Sequence, residues 1–494
     1  MEEPFVPSSM KPLLTLLLLP VLGAGLILLL PSARTRFVAI LSATATLAMT
    51  LWLATGFITT QGQWQLLEKT LWRPQSGSQF ALGVDGIAMP MLLLAALLSL
   101  VAILASGGIK ERIKPYHILI LLLEAAMLGV FMAQDWSIFY IFWELTLLPL
   151  FFLINAFGGK QRNRAALNFV LYTMGGSVFM LIALLLAFDA SQVHTFLMKE
   201  MAEGLRGISK ELQILIFAGF LIGFGVKMPI FPLHGWLPLA HVEAPSPVSI
   251  LLSGALLKMG SYGLIRAAMM VPDAVVTLRE LLATLAFINL IHGGVLAWKQ
   301  TDLKGMVAYS SVSHMGVVLL GIAALNHDGI TGAMLQMVSH GLTAGAMFLI
   351  IGLLYERTHT RDIREYGSLT RVAPRLSFFV ALAFMASVGV PGTSGFIAEL
   401  HVMLAGLERW GWPAALLSVG MLVSAAYAVR TVGCLCTGPE QPKLPAIHPL
   451  GRMELAAAGI LAIGIVTLGF LPAPLIDLMA GSLTRFGDLF AARL

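Results

Sequence analysis

The feature that most constrains this chain is a recurrence of apolar runs, each long enough to cross a bilayer, separated by short polar breaks. A helix needs about 20 apolar residues to span the hydrocarbon core. Runs are read near 12–30, 36–56, 81–105, 115–133, 136–157, 165–187, 211–239, 246–270, 277–298, 304–324, 329–353, 376–404, 412–432 and 453–479. In lipid every backbone N–H and C=O must be paired, so a spanning segment is a helix or part of a closed barrel. Runs this long and uniform read as helices. The expected fold class is therefore an all-α membrane protein of about 14 transmembrane helices. Composition agrees, with 58% hydrophobic residues, 12% charged residues and a mean hydropathy of +0.86. Soluble domains carry about twice that charge. The first run, Leu13 to Leu30, has little positive charge before it and no small-residue cleavage site after it. It reads as a retained span and not as a signal peptide.

The net charge of +5 is scattered between apolar runs, which speaks for topology and against nucleic-acid binding. Sorting the loops alternately to two sides puts 18 of the 31 Lys and Arg residues on one side, among them Arg34, Arg36, Lys110, Arg162, Arg164, Lys304, Arg361, Lys443 and Arg452. The other side holds 10, together with both termini. By the positive-inside rule the first side is cytoplasmic.

Two spans should break. The seventh contains Lys227-Met-Pro229-Ile-Phe-Pro232-Leu-His234-Gly-Trp-Leu-Pro238, and the twelfth contains Gly389-Val-Pro391-Gly392-Thr-Ser-Gly395-Phe-Ile-Ala-Glu399. Proline removes a helix hydrogen bond and clashes with the preceding turn. Paired breaks in corresponding positions are the mark of inverted-repeat transporters. Five-helix units fit the spacing, and an odd number of spans inverts the second copy. The expected organisation is an N-terminal three-helix segment (1–110), two inverted five-helix repeats (111–272 and 273–435) with broken helices 7 and 12, and a C-terminal helix and tail (436–494). A pair of ordinary proline kinks is the plainer reading.

A charge at the bilayer centre costs on the order of 2.5–3.5 kcal/mol, so an ionisable residue inside a span reads as functional by default. Glu144, Lys227, Lys258 and Glu399 stand inside the fifth, seventh, eighth and twelfth spans. His234, His314 and His340 add titratable sites, with Glu124, His241 and Lys304 as secondary candidates and His292 and His401 further along. A Glu144–Lys227 pair would hold the lysine protonated, and separating it would favour release. Lys258 would accept that proton, His314 or His340 would pass it on, and Glu399 would be the last group before the exit. Set against this, a lysine can sit in a fixed pair or snorkel to an interface, and a single histidine can serve only helix packing. Asp85, Lys304 and Arg266 lie near helix ends, where anchors are more common than relays.

The two cysteines, Cys434 and Cys436, frame no disulfide scaffold and no metal-ligand set. The sequence has no phosphate loop, dinucleotide fingerprint, iron–sulfur cysteine cluster or clear haem histidine pair. No cofactor and no metal is expected in this chain. Its energy source would be a partner or an ion gradient.

At these residues a resemblance enters. Phe142-Trp143-Glu144-Leu145, the Lys227–Pro238 segment, Leu256-Leu-Lys258-Met-Gly260-Ser-Tyr-Gly263, Asp302-Leu-Lys304 through Tyr309-Ser-Ser-Val-Ser-His314-Met-Gly316, and Gln336-Met-Val-Ser-His340-Gly341 resemble the proton-translocating, antiporter-like subunits of respiratory complex I. The similarity is to the subunit 4 type, known as the M-type subunit in bacteria and the D-type subunit in cyanobacteria and plastids. It runs over nearly the whole sequence. Tyr355-Glu-Arg-Thr-His359-Thr looks like the cyanobacterial and plastid branch. That branch implies an NAD(P)H dehydrogenase-like complex that takes electrons from ferredoxin and reduces plastoquinone.

The resemblance implies that the chain is a subunit of a translocating oxidoreductase and holds no redox centre. Glu144, Lys227, Lys258 and Glu399 match the family's relay positions. It also implies a thylakoid membrane, termini on the luminal side, lipid contact, and neighbouring F-type antiporter-like and small subunits. Asn168 stands where related subunits usually carry Lys, and Leu239 where they carry Asp. These departures, and a short tail after Arg430, point to the variant devoted to carbon dioxide uptake, with a carbonic-anhydrase-like hydration subunit as partner. Two other classes of function stay open: a subunit of an Mrp-type cation/proton antiporter, and a purely structural membrane subunit with frozen ion pairs.

Overall fold

The structure is a computed structural model that describes residues 11–441, 445 and 447–494. Lys443, assigned above to the basic side, and residues 1–10 lie outside the described residues. Twelve helices among the described residues are long and apolar enough to cross a membrane.

The chain opens with α1 (Pro12–Leu29) and α2 (Thr35–Thr55). An antiparallel hairpin follows, β1 (Gln65–Arg73) with β2 (Ser78–Val84), in a register that pairs Lys69 with Ala81 and Thr70 with Phe80. Then come α3 (Ala88–Ala105) and α4 (Ile113–Met132). The fold is otherwise helical, as expected, and the hairpin corrects one boundary, a third span starting at residue 81. Ala81–Val84 is a buried strand end, and over four apolar residues a buried strand and a helix look alike in sequence. The helix starts late because the Asp85 carboxylate accepts hydrogen bonds from the N–H of Ile87 (3.1 Å) and Ala88 (2.9 Å), capping the first turn.

The fifth crossing is α5 (Trp136–Leu145) and α6 (Leu147–Phe157), joined at Thr146. It leads to α7 (Arg162–Ala190) and the short α8 (Met198–Gly204). Helix α9 (Lys210–Lys227) stops at the lysine. An irregular stretch runs to α10 (Leu237–Glu243). Next are α11 (Ser246–Leu251), a π turn (Leu252–Leu256) and α12 (Leu257–Met270), then α13 (Pro272–Lys299), α14 (Leu303–Ala324) and α15 (His327–Thr358). After the short α16 (Leu369–Val372), the twelfth crossing is split into α17 (Pro374–Ser387) and α18 (Ser394–Trp410). Both expected breaks are present. Counting α9–α10 and α17–α18 as one crossing each would bring the twelve long helices to fourteen.

The chain closes with α19 (Leu416–Cys436), α20 (Arg452–Phe470) and α21 (Ala473–Ala491). The last expected span, 453–479, is therefore two elements. Pro472 and Pro474 forbid continuation past Phe470. Helix α21 buries Met479, Ser482, Leu483, Phe486 and Phe490, a helical stripe that packs on α3, α13 and α15.

Burial sorts the helices by role. The outer ones present large apolar side chains, such as Phe37 on α2, Leu171 on α7 and Leu422 on α19. Helices α12, α14 and α15 are buried almost throughout. Within the buried stretches of these three an ionisable group cannot reach lipid, so its partner must be protein or water.

Candidate proton-relay site

The first break has an explicit cause. Pro229 and Pro232 contribute no N–H, and the chain between Lys227 and Leu237 leaves the helical ladder. Asn289 of α13 supplies what is lost. Its Oδ1 accepts from the N–H of Phe231 (2.6 Å), and its Nδ2 donates to the carbonyl of Pro229 (3.0 Å). The Trp236 indole N–H donates to the carbonyl of Val226 (2.8 Å). Lys227 is thereby fixed as the last helical residue of α9, 1% exposed. Its Nζ donates to Thr146 Oγ1 (3.2 Å) and lies 5.1 Å from the centre of the Trp143 ring.

The motif glycines bring the other helices to this point. A side chain at Gly260 would press on the Met228 nitrogen (2.7 Å), so α12 packs directly on the end of α9. Gly254 and Gly341 oppose each other, and a Cβ on Gly341 would lie 2.9 Å from the carbonyl oxygen of Gly254. This close approach of α11–α12 to α15 sets Lys258 beside His340, with Lys258 Nζ 2.5 Å from His340 Nδ1. Lys258 Nζ also donates to the carbonyl of Ser253 (2.7 Å), at the π turn. π turns cluster at functional sites, where they detach backbone groups from the ladder.

From His340 the polar groups continue. The His340 and His314 rings are 5.5 Å apart between centres. Gln336 Nε2 lies 3.3 Å from His314 Nδ1, and that nitrogen lies 3.8 Å from Glu399 Oε1. Lys258, His340, His314 and Glu399 are each at most 5% exposed. Along this file His340 Nε2, His314 Nε2, Gln336 Oε1 and Glu399 Oε2 are buried with no hydrogen-bond partner. Such valences ask for water or an exchanging proton. Glu399 occupies the second turn of α18, against Gly389, where φ is +75° and a Cβ would sit 2.8 Å from Glu399 Oε2.

Other candidates fall elsewhere. Glu144 is half-buried, its Oε1 has no hydrogen-bond partner, and among the described residues no ion pair joins it to Lys227. Glu124 is fully buried with both oxygens unpartnered. His234 lies off the file, with its ring 5.4 Å from that of His292 and 5.9 Å from Phe231. His241 is fully buried, stacks on Phe348 at 4.5 Å and leaves both ring nitrogens without partners. Lys304 donates to the carbonyl of Ala244 (2.6 Å) at the end of α10. Close by, Arg361 pairs with Asp302 (3.0 Å) and donates to the carbonyl of Val242 (2.7 Å). In the adjoining loop, hydrogen bonds from Arg364 hold the Asp362 carboxyl below its usual range. Asp85 and Arg266 form a bidentate buried pair at 2.6 and 2.7 Å, a fixed anchor as expected. His401 faces Asp328 at 3.7 Å.

Sequence reasoning missed Asn289 and Thr146. Neither an amide alone in an apolar run nor a threonine says locally what faces it. Cys434 and Cys436 are free, and Ser377 Oγ donates to Cys436 Sγ (3.1 Å). Among the described residues no group of three or more His, Cys, Asp or Glu side chains is arranged to hold a metal ion.

Comparison with known proteins places this geometry. Residues 133–424 match the family described as NADH:quinone oxidoreductase/Mrp antiporter, transmembrane. Over 421 residues the chain is 41% identical to "NAD(P)H-quinone oxidoreductase chain 4 2" of Thermosynechococcus vestitus, covering 83% of this chain and 78% of that one. Among solved structures, a chain of respiratory complex I from Thermus thermophilus with bound NADH superposes with a TM-score of 0.89 at 31% identity, covering 97% of this chain and 99% of that one. A chain of the Mrp complex from Dietzia sp. shares the fold, with a TM-score of 0.83 at 22% identity over 97% of this chain and 56% of that one. The match spans more than half of the chain and takes in both breaks and the whole polar file, so the chain belongs to the membrane-subunit family shared by NADH:quinone oxidoreductases and Mrp antiporters.

Proposed function

We propose that this chain is a proton-translocating subunit of a complex I-like NAD(P)H- or ferredoxin-driven quinone oxidoreductase. The observation that carries the reading is the buried file Lys258–His340–His314–Glu399, whose first three members stand on helices buried almost throughout. Structural ion pairs would be closed; this file is a row of neighbours with open valences.

In the proposed cycle Glu144 and Lys227 are the loading pair. Drawn together, they hold the proton on the lysine. Parted, with Lys227 on Thr146, they favour its transfer across the α9–α12 contact to Lys258. Lys258 Nζ stands 2.5 Å from His340 Nδ1, His314 follows, and Glu399 delivers the proton to the exit. His234 and Glu124 stand off this line and receive no step.

The file needs a driver, which supports membrane neighbours of the F-type antiporter-like and small-subunit kinds. The cyanobacterial relative supports a thylakoid membrane, with the basic loops cytoplasmic and the termini luminal. The two breaks support the division into five-helix units at 111–272 and 273–435, flanked by 1–110 and 436–494. We take the chain to serve the carbon dioxide uptake variant, on the strength of Asn168 and Leu239. A carbonic-anhydrase-like subunit co-purifying with the complex is the expected result; its absence would return the chain to the general form.

The central test is Lys227→Met in inverted vesicles. Proton uptake should fall at least about tenfold, the effect of removing one relay group worth about 1.4 kcal/mol or more. Unchanged pumping would sink the loading role. Unchanged pumping in Lys227→Met with Lys258→Met would favour a structural subunit, and sodium-dependent transport would favour the Mrp-like reading.

A further inference from the structure

We propose that a pocket on the basic side of the first three helices binds the headgroup of an anionic phospholipid. The pocket is a cavity of about 690 Å³ between the first turns of α2 and α20, the end of α15, and Gly107–Gly108 just past α3. It gathers three cations, Arg36, Lys110 and Arg452, against two carboxylates, Glu356 and Glu454. Glu454 is already engaged: it accepts from Arg357 Nη2 (2.6 Å) and from the N–H of Gly451 (2.7 Å). Glu356 lies against Gly108, where a Cβ would collide with its carboxylate. Among the described residues none of the three cations forms an ion pair within 4.0 Å, so positive charge is left over.

Arg36 is aimed by the fold. Its Nη2 donates to the carbonyl of Leu104 (2.8 Å), capping the end of α3, while its Nε is buried with no partner. The guanidinium lies beside Gly107, with both terminal nitrogens 3.6 Å from where a Cβ would stand.

What selects a lipid over a free anion is the wall below. Helices α2 and α20 both pack on α3. On α2, Phe37 is 69% exposed and Leu41 59%; on α20, Met453 is 48% exposed and lines the pocket itself. The cations thus sit where two outward apolar faces begin. A headgroup fits above and acyl chains lie below, as in basic pockets between helices on the cytoplasmic side.

The test uses the intact membrane complex in nanodiscs of phosphatidylcholine with a minor share of phosphatidylglycerol, read by native mass spectrometry. The wild type should retain phosphatidylglycerol saturably. The triple variant Arg36→Gln, Lys110→Gln, Arg452→Gln should retain about fivefold less, while Arg162→Gln with Arg164→Gln, exposed residues of the same side, should not change it. Equal retention in the triple variant overturns the proposal. If the triple variant does not assemble, titration of the wild type decides, and uptake that never saturates overturns it. Displacement of the bound lipid by millimolar inorganic phosphate alone overturns it in favour of a free-anion site.

Discussion

The two broken helices solve one problem by different means. In the first, Pro229 and Pro232 delete two donors, and bonds within the segment, such as that from the N–H of Ile230 to the carbonyl of Gly225 (2.8 Å), leave the Phe231 N–H and the Pro229 carbonyl to a neighbour. Asn289, from a helix some sixty residues away in sequence, supplies both a donor and an acceptor. In the second, where Pro391 alone deletes a donor, the chain curls back on itself. Gly389 and Gly392 take φ of +75° and +90°, and the N–H groups of Gly389 and Thr393 return to Ala386 (3.2 Å) and Val390 (3.0 Å). The first break leans on a neighbouring helix, and the second on glycines that accept positive φ. The charges differ to match. Lys227 closes α9, at the carbonyl end that favours a cation, and Glu399 stands near the amide end of α18. Each break exposes a helix end of the sign its ionisable residue can use.

Four substitutions would break or sharpen this contrast. Gly389→Val should be the most damaging, because it demands positive φ of a β-branched residue and drives a Cβ into Glu399. Strain of this kind costs about 1–3 kcal/mol before the collision is counted, so pumping by vesicles should fall well over tenfold. If more than half survived, the second break would not depend on glycine. Asn289→Leu comes next. It orphans the Phe231 N–H and the Pro229 carbonyl at roughly 1–3 kcal/mol each, and should lower the melting temperature of the assembled complex. If the leucine variant melted like the wild type, the first break would be self-sufficient after all.

Ser339→Ala removes the hydroxyl pair that ties α15 to Ser394 at 2.8 Å, and should cost about 1 kcal/mol of stability. Thr146→Val should do least. Assembly should be normal and pumping about two- to threefold lower, since Lys227 loses an acceptor worth under about 1 kcal/mol. A larger loss would make Thr146 part of the relay itself.

Much of this was legible in the sequence. Prolines and glycines announced both breaks because their backbone rules do not depend on neighbours. Buried lysines and glutamates announced the file because lipid makes them costly. What was hidden depends on three-dimensional context. Asn289 is one amide in an apolar run, and nothing local tells that two orphaned groups of another segment face it. The hairpin at 65–84 hid because its buried end reads like the start of a span. Glu144 and Lys227 invited pairing by charge, yet the lysine takes the uncharged hydroxyl of Thr146, two residues beyond the glutamate. Composition also could not see that Pro472 ends one helix and starts a second, amphipathic one.

The π turn before Lys258 sets a helical phase. Residues advance by about 100° around an α-helix, so the one-residue surplus of a π turn offsets everything beyond it by that angle. Lys258 meets both the Ser253 carbonyl and His340 in this offset register. Shortening 252–256 by one residue would keep every side chain named in the file and still rotate Lys258 away from His340 or the Gly254–Gly341 contact out of place. Here a relay is specified by the length of a segment as firmly as by its chemistry, and a deletion that spares every ionisable group can disconnect it.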